Sequence, residues 1–588
     1  MAEFQANPSD IRVHVASHGG TAEQDIDPVI VEIVRHSLDS AANQMKRTLI
    51  RTSVSPLIYE VLDFAAAIYD KDLRMLSQAP SLPLFMGTLD FCIDAAVKGI
   101  GGTDNLKPGD VLLYNWPYGT GSHAQDSALI QPAFSTNGEL LGYAAIKAHW
   151  LDIGAYAPYC TDTTDVYQEG TFFPGVKLFS EGKVVDDIYR CVLANSRMPH
   201  IIEGDIRAQA TAVGVGVSEL ERVYARFGAE VFPSAVEKIF DHGEAIVKSY
   251  FEQIPDGTYV GCGVMDNNGV TQDKLPFEAT LIVDGDSVTV DFTKSPDEQS
   301  GPVNCPLPST ISASRVAVAM LAGKNESPNE GHFRAITVKT RRGSMFDPKP
   351  PAPCFLYGWP AMQAIEAIYH AVSKVDEAAV PACSGGDICA LVWWGVRKES
   401  GEMWGDGSPF PVGHGGHVHG DGCTMMHIAE SATQFAPIEV MESKFPWMVK
   451  VLEFMTDSCG AGEHRGGLGY AISFHVLEDC FVTSSVERTL TDPWSIAGGS
   501  EGVPNRMEVQ NPDGSVETIG KVTGREMLEG STLTIYTGGG GGYGDPKRRD
   551  IEAVRRDYED GVISKGHVTK YYPHAAGVLE STAQVAAE

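Results

Sequence analysis

The sequence predicts an α+β fold with mostly antiparallel sheets, flanking helices and glycine-rich loops. Apolar residues repeat at helical spacing in separate regions, whereas short apolar runs bounded by turn residues fill most of the remaining chain. Glycine accounts for 62 of 588 residues, a share above the ~7% of an average protein, which indicates many tight loops. The sequence contains no repeat of fixed period, so solenoids and propellers are not expected.

Three helical segments are predicted. Asp27-Pro28 has the pattern of an N-cap followed by proline at the first helical position, and apolar residues at helical spacing continue from Val29 to Leu49. A second helical pattern covers residues 195–250. A charged helix with a thin apolar face is expected at 546–560.

The strands are predicted from short apolar runs that end in turn residues. The first strand is expected at 64–70, FAAAIYD, and is followed by a Lys-Asp turn. Three further runs lie close together, at 110–116, 127–134 and 139–148. Ser135-Thr136-Asn137-Gly138 is a hairpin signal that joins the last two of them. Later strands are expected at 277–292, with a turn at Asp284-Gly285, and at 466–477 and 531–537.

The composition shifts along the chain predict four parts. The polar beginning has no apolar period, and the glycine-rich loops concentrate in the second half of the chain. The parts are a flexible N-terminal arm (1–26), an N-terminal domain that carries the candidate metal site (27–320), a glycine- and strand-rich C-terminal domain (321–545), and a C-terminal helix with a tail (546–588).

The charge of the chain excludes several classes of partner. A net charge of −32 repels phosphate backbones and anionic membrane surfaces, so neither nucleic acid nor a membrane is expected as a partner. No apolar run approaches the ~18 residues of a membrane helix, and the first twenty residues lack the pattern of a secretory signal. The eleven cysteines are scattered and form no CxxC pair. We therefore expect a reducing, cytoplasmic location.

Two of the HxxD motifs in the sequence carry the strongest chemical signal. They are His123 with Asp126 and His149 with Asp152, placed 26 residues apart. If the three neighbouring strands form a meander, both motifs emerge at the same edge of one sheet. Two imidazoles and two carboxylates at one edge would suit Zn²⁺, Mn²⁺ or Fe²⁺. A single HxxD is more often an ordinary surface or core histidine, but two copies at matched strand ends favour a metal site.

A second histidine cluster is weaker. His414, His417, His419 and Asp421 lie in the glycine-rich loop GHGGHVHGDG, whose spacing can hold a metal. No rigid strand flanks this loop, so a solvated loop is preferred to a metal site, and the loop could still border the active cleft.

The remaining motifs are interpreted as structural rather than catalytic features. The run TGGGGGYGDP at 537–546 lacks the GK[ST] ending of a P-loop, which favours a loop where backbones cross. Arg465, in the glycine-rich segment 457–470, could pair with a carboxylate. Cys459 has no activating neighbour in the sequence, so no catalytic nucleophile is assigned.

Seven blocks of the sequence, in order, identify a family resemblance. They are DFAAAIYDKDLRMLSQAP, GDVLLYNWPYGTGSHAQDSALIQPAF, AAIKAHWLDIGAY, VDFTKSPDEQSGPVN, GHFRAITVKTRRGSMFDPKPPAP, ESKFPWMVKVLEFMTDSCGAGEHRGGLG and TGGGGGYGDPKRRDIEAVRRDYEDGVIS. Together they resemble the hydantoinase B / 5-oxoprolinase family over nearly the whole chain. That family also contains the α subunits of acetone carboxylases, the acetophenone carboxylases and the β subunits of caprolactamase-type lactam hydrolases.

The resemblance implies a divalent metal, Zn²⁺ or Mn²⁺, and carries the ligand positions over to His123, Asp126, His149 and Asp152. It further implies a separate hydantoinase A-like subunit that binds ATP with Mg²⁺ and activates a carbonyl or bicarbonate by phosphorylation. Because this chain has no recognisable ATP site, we expect an obligate hetero-oligomer of α₂β₂ type. The C-terminal half, including the 546–560 helix, would supply part of the contact.

Two departures from the family pattern bear on the substrate. Trp116 stands where the family often has aspartate, and Phe85 stands where it often has histidine. Both replacements make their neighbourhood less polar, which favours an apolar lactam or aryl ketone over a small free acid. A chain of 588 residues is short for an acetone carboxylase subunit, which favours a lactam hydrolase.

Two further functions stay open at this point. A ketone carboxylase would use the same metal edge as a lactam hydrolase, so the sequence does not separate the two activities. A scaffold subunit with a vestigial site is the third alternative, and the two intact HxxD motifs argue against it.

Overall fold

The computed structural model describes residues 11–16, 26–323, 326–427 and 433–579. Within these ranges the strands are β1 (Ile11–Val15), β2 (Phe64–Asp70), β3 (Met75–Gln78), β4 (Val111–Tyr114), β5 (Asp126–Phe134), β6 (Leu140–His149), β7 (Pro174–Ser180), β8 (Lys183–Val184), β9 (Gly257–Met265), β10 (Leu275–Asp284), β11 (Ser287–Asp291), β12 (Ile336–Arg341), β13 (Ala390–Val396), β14 (Met403–Ser408), β15 (Trp447–Phe454), β16 (Tyr470–Val476), β17 (Cys480–Ser485), β18 (Arg506–Gln510), β19 (Val516–Ile519), β20 (Val522–Met527) and β21 (Thr532–Tyr536). The α-helices are α1 (Pro28–Thr52), α2 (Pro56–Tyr59), α3 (Pro83–Met86), α4 (Leu89–Gly99), α5 (Pro117–Thr120), α6 (Asp186–Ala194), α7 (Pro199–Phe251), α8 (Leu307–Ala322), α9 (Gly358–Val372), α10 (Ile438–Lys444), α11 (Ile551–Glu559) and α12 (Lys565–Tyr571).

These strands form four sheets. The largest has seven strands in the order β3-β2-β6-β5-β4-β7-β8. A five-stranded sheet follows the order β1-β12-β11-β10-β9, and the C-terminal half contributes β14-β13-β17-β20 and β15-β16-β21-β18-β19. Neighbouring strands are antiparallel except β11 and β12, which are parallel. The predicted α+β class with mostly antiparallel sheets is confirmed.

The seven-stranded sheet contains the strands predicted at 64–70, 110–116, 127–134 and 139–148, which are β2, β4, β5 and β6. Every residue of β2 is buried, because both faces of the sheet are covered. Ala65 and Ala67 pack into one hydrophobic core, whereas Phe64 and Ala66 pack into a second core beneath α1 and α7. A strand covered on both faces reads as a continuous apolar run, which explains its sequence.

The predicted helices are present at the expected positions. The Asp27 side chain accepts a hydrogen bond from the Val29 amide at 2.9 Å and caps α1. The predicted region 195–250 forms α7, which bends at Gly228, where a φ of 78° interrupts the helical conformation. The charged segment at 546–560 begins with a 3₁₀ turn and continues as α11.

Two predicted parts look different in the structure. Within the predicted N-terminal arm, Ile11–Val15 forms β1 and pairs with β12, because its alternating β-branched residues suit a sheet edge. The rest of the predicted arm, residues 1–10 and 17–25, lies outside the described ranges. The proposed boundary at residue 320 falls inside α8, and the largest core contains residues from both sides of it. The domain boundaries stay predictions.

No helix among the described residues is both long enough and apolar enough to span a membrane.

The glycine run at 538–542 packs against neighbouring backbones. Gly540 donates its amide to the carbonyl of Gly467 at 3.0 Å and accepts from the amide of Gly460 at 2.8 Å. A Cβ on Gly540 would lie 1.9 Å from the carbonyl oxygen of His414, closer than any real contact. This run is therefore a crossing of backbones, as the sequence predicted, and glycine is required for close approach.

We expect Gly540→Ala to lower the thermal midpoint of unfolding, because the methyl group would displace the His414 backbone; overpacking of this kind costs about 1–3 kcal/mol. The matched control is Gly520→Ala, since no atom lies within 4 Å of a Cβ at that position. Differential scanning calorimetry of both variants checks the expectation. Equal midpoints for the two variants would contradict it.

Candidate metal centre

The β5–β6 pairing brings three of the predicted ligands together. Asp126, the first residue of β5, pairs directly with His149, the last residue of β6. His123 precedes β5 by one tight turn, in which the Asp126 amide donates to the His123 carbonyl at 3.1 Å. The two chain segments therefore deliver their polar residues to the same edge of the sheet, as the sequence predicted.

The three side chains form a compact, buried cluster. Nε2 of His123 lies 3.2 Å from Oδ1 of Asp126 and 3.1 Å from Nδ1 of His149. Nδ1 of His149 lies 3.1 Å from the same carboxylate oxygen. Ligand atoms around one Zn²⁺ bond it at about 2.0–2.2 Å, which places them at separations close to these. The donor set and its spacing fit a divalent metal.

The orientation of His123 is fixed by the backbone. Its Nδ1 lies 2.9 Å from the carbonyl oxygen of Phe355, an atom that can only accept a hydrogen bond. Nδ1 must therefore carry a proton, so Nε2 is the nitrogen whose lone pair faces the cluster when the ring is neutral. This is the arrangement that metal-binding histidines use.

Asp126 is held in its ionised form. Burial acts to raise its pKa, but the charges and hydrogen bonds of His123 and His149 outweigh burial and hold the pKa below its usual range. The second carboxylate oxygen accepts a hydrogen bond from the Tyr357 hydroxyl at 2.9 Å. Both oxygens of this carboxylate are thus oriented by their neighbours.

Asp63 joins the cluster although the sequence analysis did not select it. Its Oδ2 lies 3.8 Å from Nδ1 of His149, and its carbonyl accepts the His149 amide at 3.1 Å. Burial and the nearby charge of Asp126 raise the pKa of Asp63 to about 7, against the opposing effect of His149. Asp63 directly precedes β2, which pairs with β6. An acidic residue at the start of a buried strand is the sequence pattern from which it could have been predicted.

The structure does not bring the fourth predicted ligand, Asp152, into this cluster. Its carboxylate accepts hydrogen bonds from the Arg197 amide and guanidinium, including one of 3.1 Å from Nε. The Gly154 amide also donates to it, at 3.3 Å. The chain leaves the sheet after His149, so the acid of the second HxxD motif pairs with Arg197, in the loop before α7, rather than with the other ligands.

A largely apolar cavity opens beside the cluster. Asp63, His123 and His149 line it together with aliphatic and aromatic side chains, of which several are Leu57, Val61, Leu82, Leu84, Phe85, Tyr159, Tyr357, Trp359 and Met362. None of the described residues that line it is an arginine or a lysine. The cavity therefore suits an uncharged ligand better than a free carboxylate.

The two departures from the family pattern lie in different places. Phe85 is part of the cavity wall, and the Lys147 ammonium lies 4.4 Å from its ring centroid. Trp116 belongs to a separate aromatic group, where its ring lies 4.8 Å from that of Phe172. Of the two positions, Phe85 is the one that shapes the cavity.

The remaining predicted motifs do not join the metal cluster. Nε2 of His414 lies 2.7 Å from the carbonyl of His427, and the rings of His417 and His419 are 5.9 Å apart, so the loop assembles no ligand set among the described residues. Arg465 pairs with Asp557 at 3.1 Å. Burial raises the pKa of the Cys459 thiol to about 12, which makes it a poor nucleophile.

Glu169 supports the backbone that orients His123. One of its oxygens, Oε1, accepts hydrogen bonds from the amides of Cys354 and Phe355 at 2.7 and 2.9 Å and from the Thr163 hydroxyl at 2.9 Å. The Phe355 carbonyl in turn contacts His123. Burial raises the pKa of Glu169 to about 8 despite these hydrogen bonds.

We expect Glu169→Gln to reduce the loss of stability as pH rises. A carboxyl group whose folded pKa exceeds its unfolded value of 4.5 stabilises the fold below that value and loses this contribution as pH rises to about 8. The uncharged amide has no such proton to lose. The thermal midpoint of the variant should therefore fall less than that of the wild type between pH 5 and pH 8.

The exposed Glu139, changed to Gln, is the control for this comparison. Its midpoint should follow the wild type at every pH. If the thermal midpoints of Glu169→Gln and the wild type fall equally between pH 5 and pH 8, Glu169 is ionised in the folded chain throughout this range.

Comparison with known proteins agrees with the resemblance noted in the sequence. A protein of Pseudomonas sp. strain NS671, named as the B-type subunit of a D-/L-hydantoinase, is 28% identical over 562 residues, which cover 92% of this chain and 94% of that one. The beta subunit of the caprolactamase of Pseudomonas jessenii is 27% identical over 576 residues, with coverage of 92% and 94%.

Two solved structures resemble this chain in fold. The crystal structure of the ATP-dependent caprolactamase from Pseudomonas jessenii superposes with a TM-score of 0.86 at 26% identity, over 93% of this chain and 96% of that one. A nucleotide-free acetone carboxylase shares the fold, with a TM-score of 0.83 at 17% identity over 95% and 83% of the two chains. Residues 27–546 match the hydantoinase B/oxoprolinase family, and the chain belongs to that family.

Proposed function

We propose that this chain is the metal-bearing subunit of an ATP-dependent amidohydrolase that opens a lactam, imide or hydantoin ring. The observation that carries the proposal is the buried His123–Asp126–His149 cluster in the wall of an apolar cavity. The relatives named as a hydantoinase of the B type and as the beta subunit of a caprolactamase support the same reaction class.

The cluster would hold Zn²⁺ or Mn²⁺ through Nε2 of His123, Nδ1 of His149 and the Asp126 carboxylate. Asp63 is close enough to His149 to act as a further oxygen ligand after a small side-chain movement. When bound, such an ion supplies Lewis acidity, which activates water and polarises carbonyl groups.

The protein itself would orient the ligands and keep bulk water out. Tyr357 fixes one oxygen of Asp126, and the Phe355 carbonyl fixes the ring of His123. The aliphatic and aromatic cavity wall lowers the local dielectric, which strengthens electrostatic interactions with a polarised carbonyl group. A small cyclic amide has the size and lack of charge that this wall favours, since no described lining residue is a lysine or an arginine.

The ATP site would lie on a separate hydantoinase A-like subunit. This sequence has no GxxxxGK[ST] motif, and its glycine run at 538–542 is closed by backbone contacts. The name of the caprolactamase relative, which marks it as a beta subunit, supports a heteromeric enzyme. We propose an α₂β₂ assembly in the cytoplasm, in which a phosphorylated intermediate passes between the subunits without release.

A ketone carboxylase is the second candidate. The same cavity would accept an uncharged ketone, and a metal held by His123, Asp126 and His149 would supply Lewis acidity for carboxylation of that ketone by activated bicarbonate. Dependence of turnover on bicarbonate separates this reaction from ring hydrolysis.

We expect His123→Ala and His149→Ala to lose at least about tenfold in affinity for Zn²⁺, because each removes one of three ligand atoms. Mass spectrometry of metal content and competition with a chromogenic chelator measure the change. Asp152→Asn is the control, since that carboxylate binds Arg197 and should leave the metal content unchanged. Unchanged metal content in both histidine variants would contradict the ligand assignment.

We expect the isolated chain to show no heat of ATP binding in calorimetry. Co-expressed with its hydantoinase A-like partner, it should form a complex whose mass by light scattering fits α₂β₂. That complex should hydrolyse ATP together with a lactam or hydantoin, independently of bicarbonate. Turnover by the chain alone without ATP would replace the proposal with a simple metallohydrolase, and a bicarbonate requirement would favour the carboxylase.

A further inference from the structure

Tyr159 lines the same cavity as the metal cluster, on a loop that is tied down on both sides of the residue. The Tyr159 carbonyl accepts a hydrogen bond from the Thr483 hydroxyl of β17 at 3.0 Å. The Thr161 amide donates to the Thr523 hydroxyl of β20 at 2.8 Å. These two tethers hold the loop against one sheet of the C-terminal half, so Tyr159 has a fixed backbone.

The ring of Tyr159 is also fixed by its neighbours. It meets the Phe355 ring edge-on at a centroid distance of 4.7 Å, and the Trp359 ring lies at 6.5 Å. The rings of His123 and His149 lie at 5.8 and 6.4 Å. Only 8% of Tyr159 is exposed. The side chain is therefore held rigidly beside the candidate metal ligands.

The hydroxyl of Tyr159 nevertheless forms no hydrogen bond with any described residue. Tyr357, the second tyrosine at this end of the cavity, differs because its hydroxyl donates to Asp126 at 2.9 Å. The hydroxyl oxygen keeps accessible surface in the cavity, so a bound ligand with an acceptor oxygen would replace water as its hydrogen-bond partner. Of the two tyrosines, Tyr159 is the one whose donor is available.

We propose that the Tyr159 hydroxyl donates a hydrogen bond to the carbonyl oxygen of a cyclic amide bound in the cavity, an inference that rests on the function proposed above. The amide ring would then pack against the apolar wall that includes Phe85 and Trp359. Tyr159 thus selects ligands that combine an apolar ring with an acceptor oxygen close to the metal cluster.

A phenol is protonated at neutral pH, so the Tyr159 hydroxyl acts as a donor. A donor in this position would draw electron density from the carbonyl group and hold its carbon facing the cluster.

Calorimetric titration of the zinc-loaded complex of this chain and its hydantoinase A-like partner with caprolactam, in the absence of ATP, tests the inference. Tyr159→Phe removes the donor and keeps the ring, so it should bind caprolactam about threefold to tenfold more weakly, the loss expected for one neutral hydrogen bond. The infrared carbonyl stretch of ¹³C-labelled caprolactam gives a second readout. Its shift on binding should shrink in the variant, which a merely structural role of Tyr159 would not cause.

Tyr167→Phe is the matched control. Tyr167 is 68% exposed, so this variant loses the same hydroxyl group outside the cavity. Equal affinity and an equal carbonyl shift in Tyr159→Phe and the wild type would overturn the inference and leave the proposed function standing. If the wild-type complex binds neither caprolactam nor hydantoin, the cyclic-amide function fails, and the inference fails with it.

Discussion

The candidate site depends on one register, the pairing of Asp126 on β5 with His149 on β6. The side chains of a strand alternate between the two faces, so a slip of one residue would turn one member of this pair to the other side of the sheet. Two buried cores pack on the two faces and fix the register through many apolar contacts. The position of the ligands is thus a consequence of the hydrophobic pattern of the sheet.

Burial of polar groups at this sheet edge is tolerated because neighbours satisfy them. The Asp126 carboxylate accepts a hydrogen bond from Tyr357 and lies 3.2 and 3.1 Å from ring nitrogens of His123 and His149. The fully buried ammonium of Lys147 donates to Thr88 and to the carbonyl of Thr120, at 2.6 and 3.0 Å. An unpaired charge at these depths would cost several kcal/mol. These groups already have partners. Among the described residues of the cavity wall, the Tyr159 hydroxyl therefore remains available as a donor for a ligand.

Much of this arrangement could be predicted from local sequence. The strands and the hairpin at Ser135–Gly138 follow from short-range patterns, and they suffice to bring His123, Asp126 and His149 to one edge. The repeated HxxD motif does not carry Asp152 into the cluster, because the chain leaves β6 and Arg197 binds the carboxylate. The parts that sequence reasoning missed come from distant segments. Tyr357, for example, lies 231 residues from the carboxylate it contacts, and no local pattern encodes such a pairing.

X-ray absorption spectroscopy of the purified, zinc-loaded chain tests the central claim most directly. The account predicts a first shell of nitrogen and oxygen atoms at about 2.0–2.2 Å that includes two imidazoles. One imidazole should disappear from the spectrum when His149 is changed to alanine. A shell containing sulfur at about 2.3 Å, or a spectrum that stays the same in that variant, would place the metal elsewhere and contradict the account.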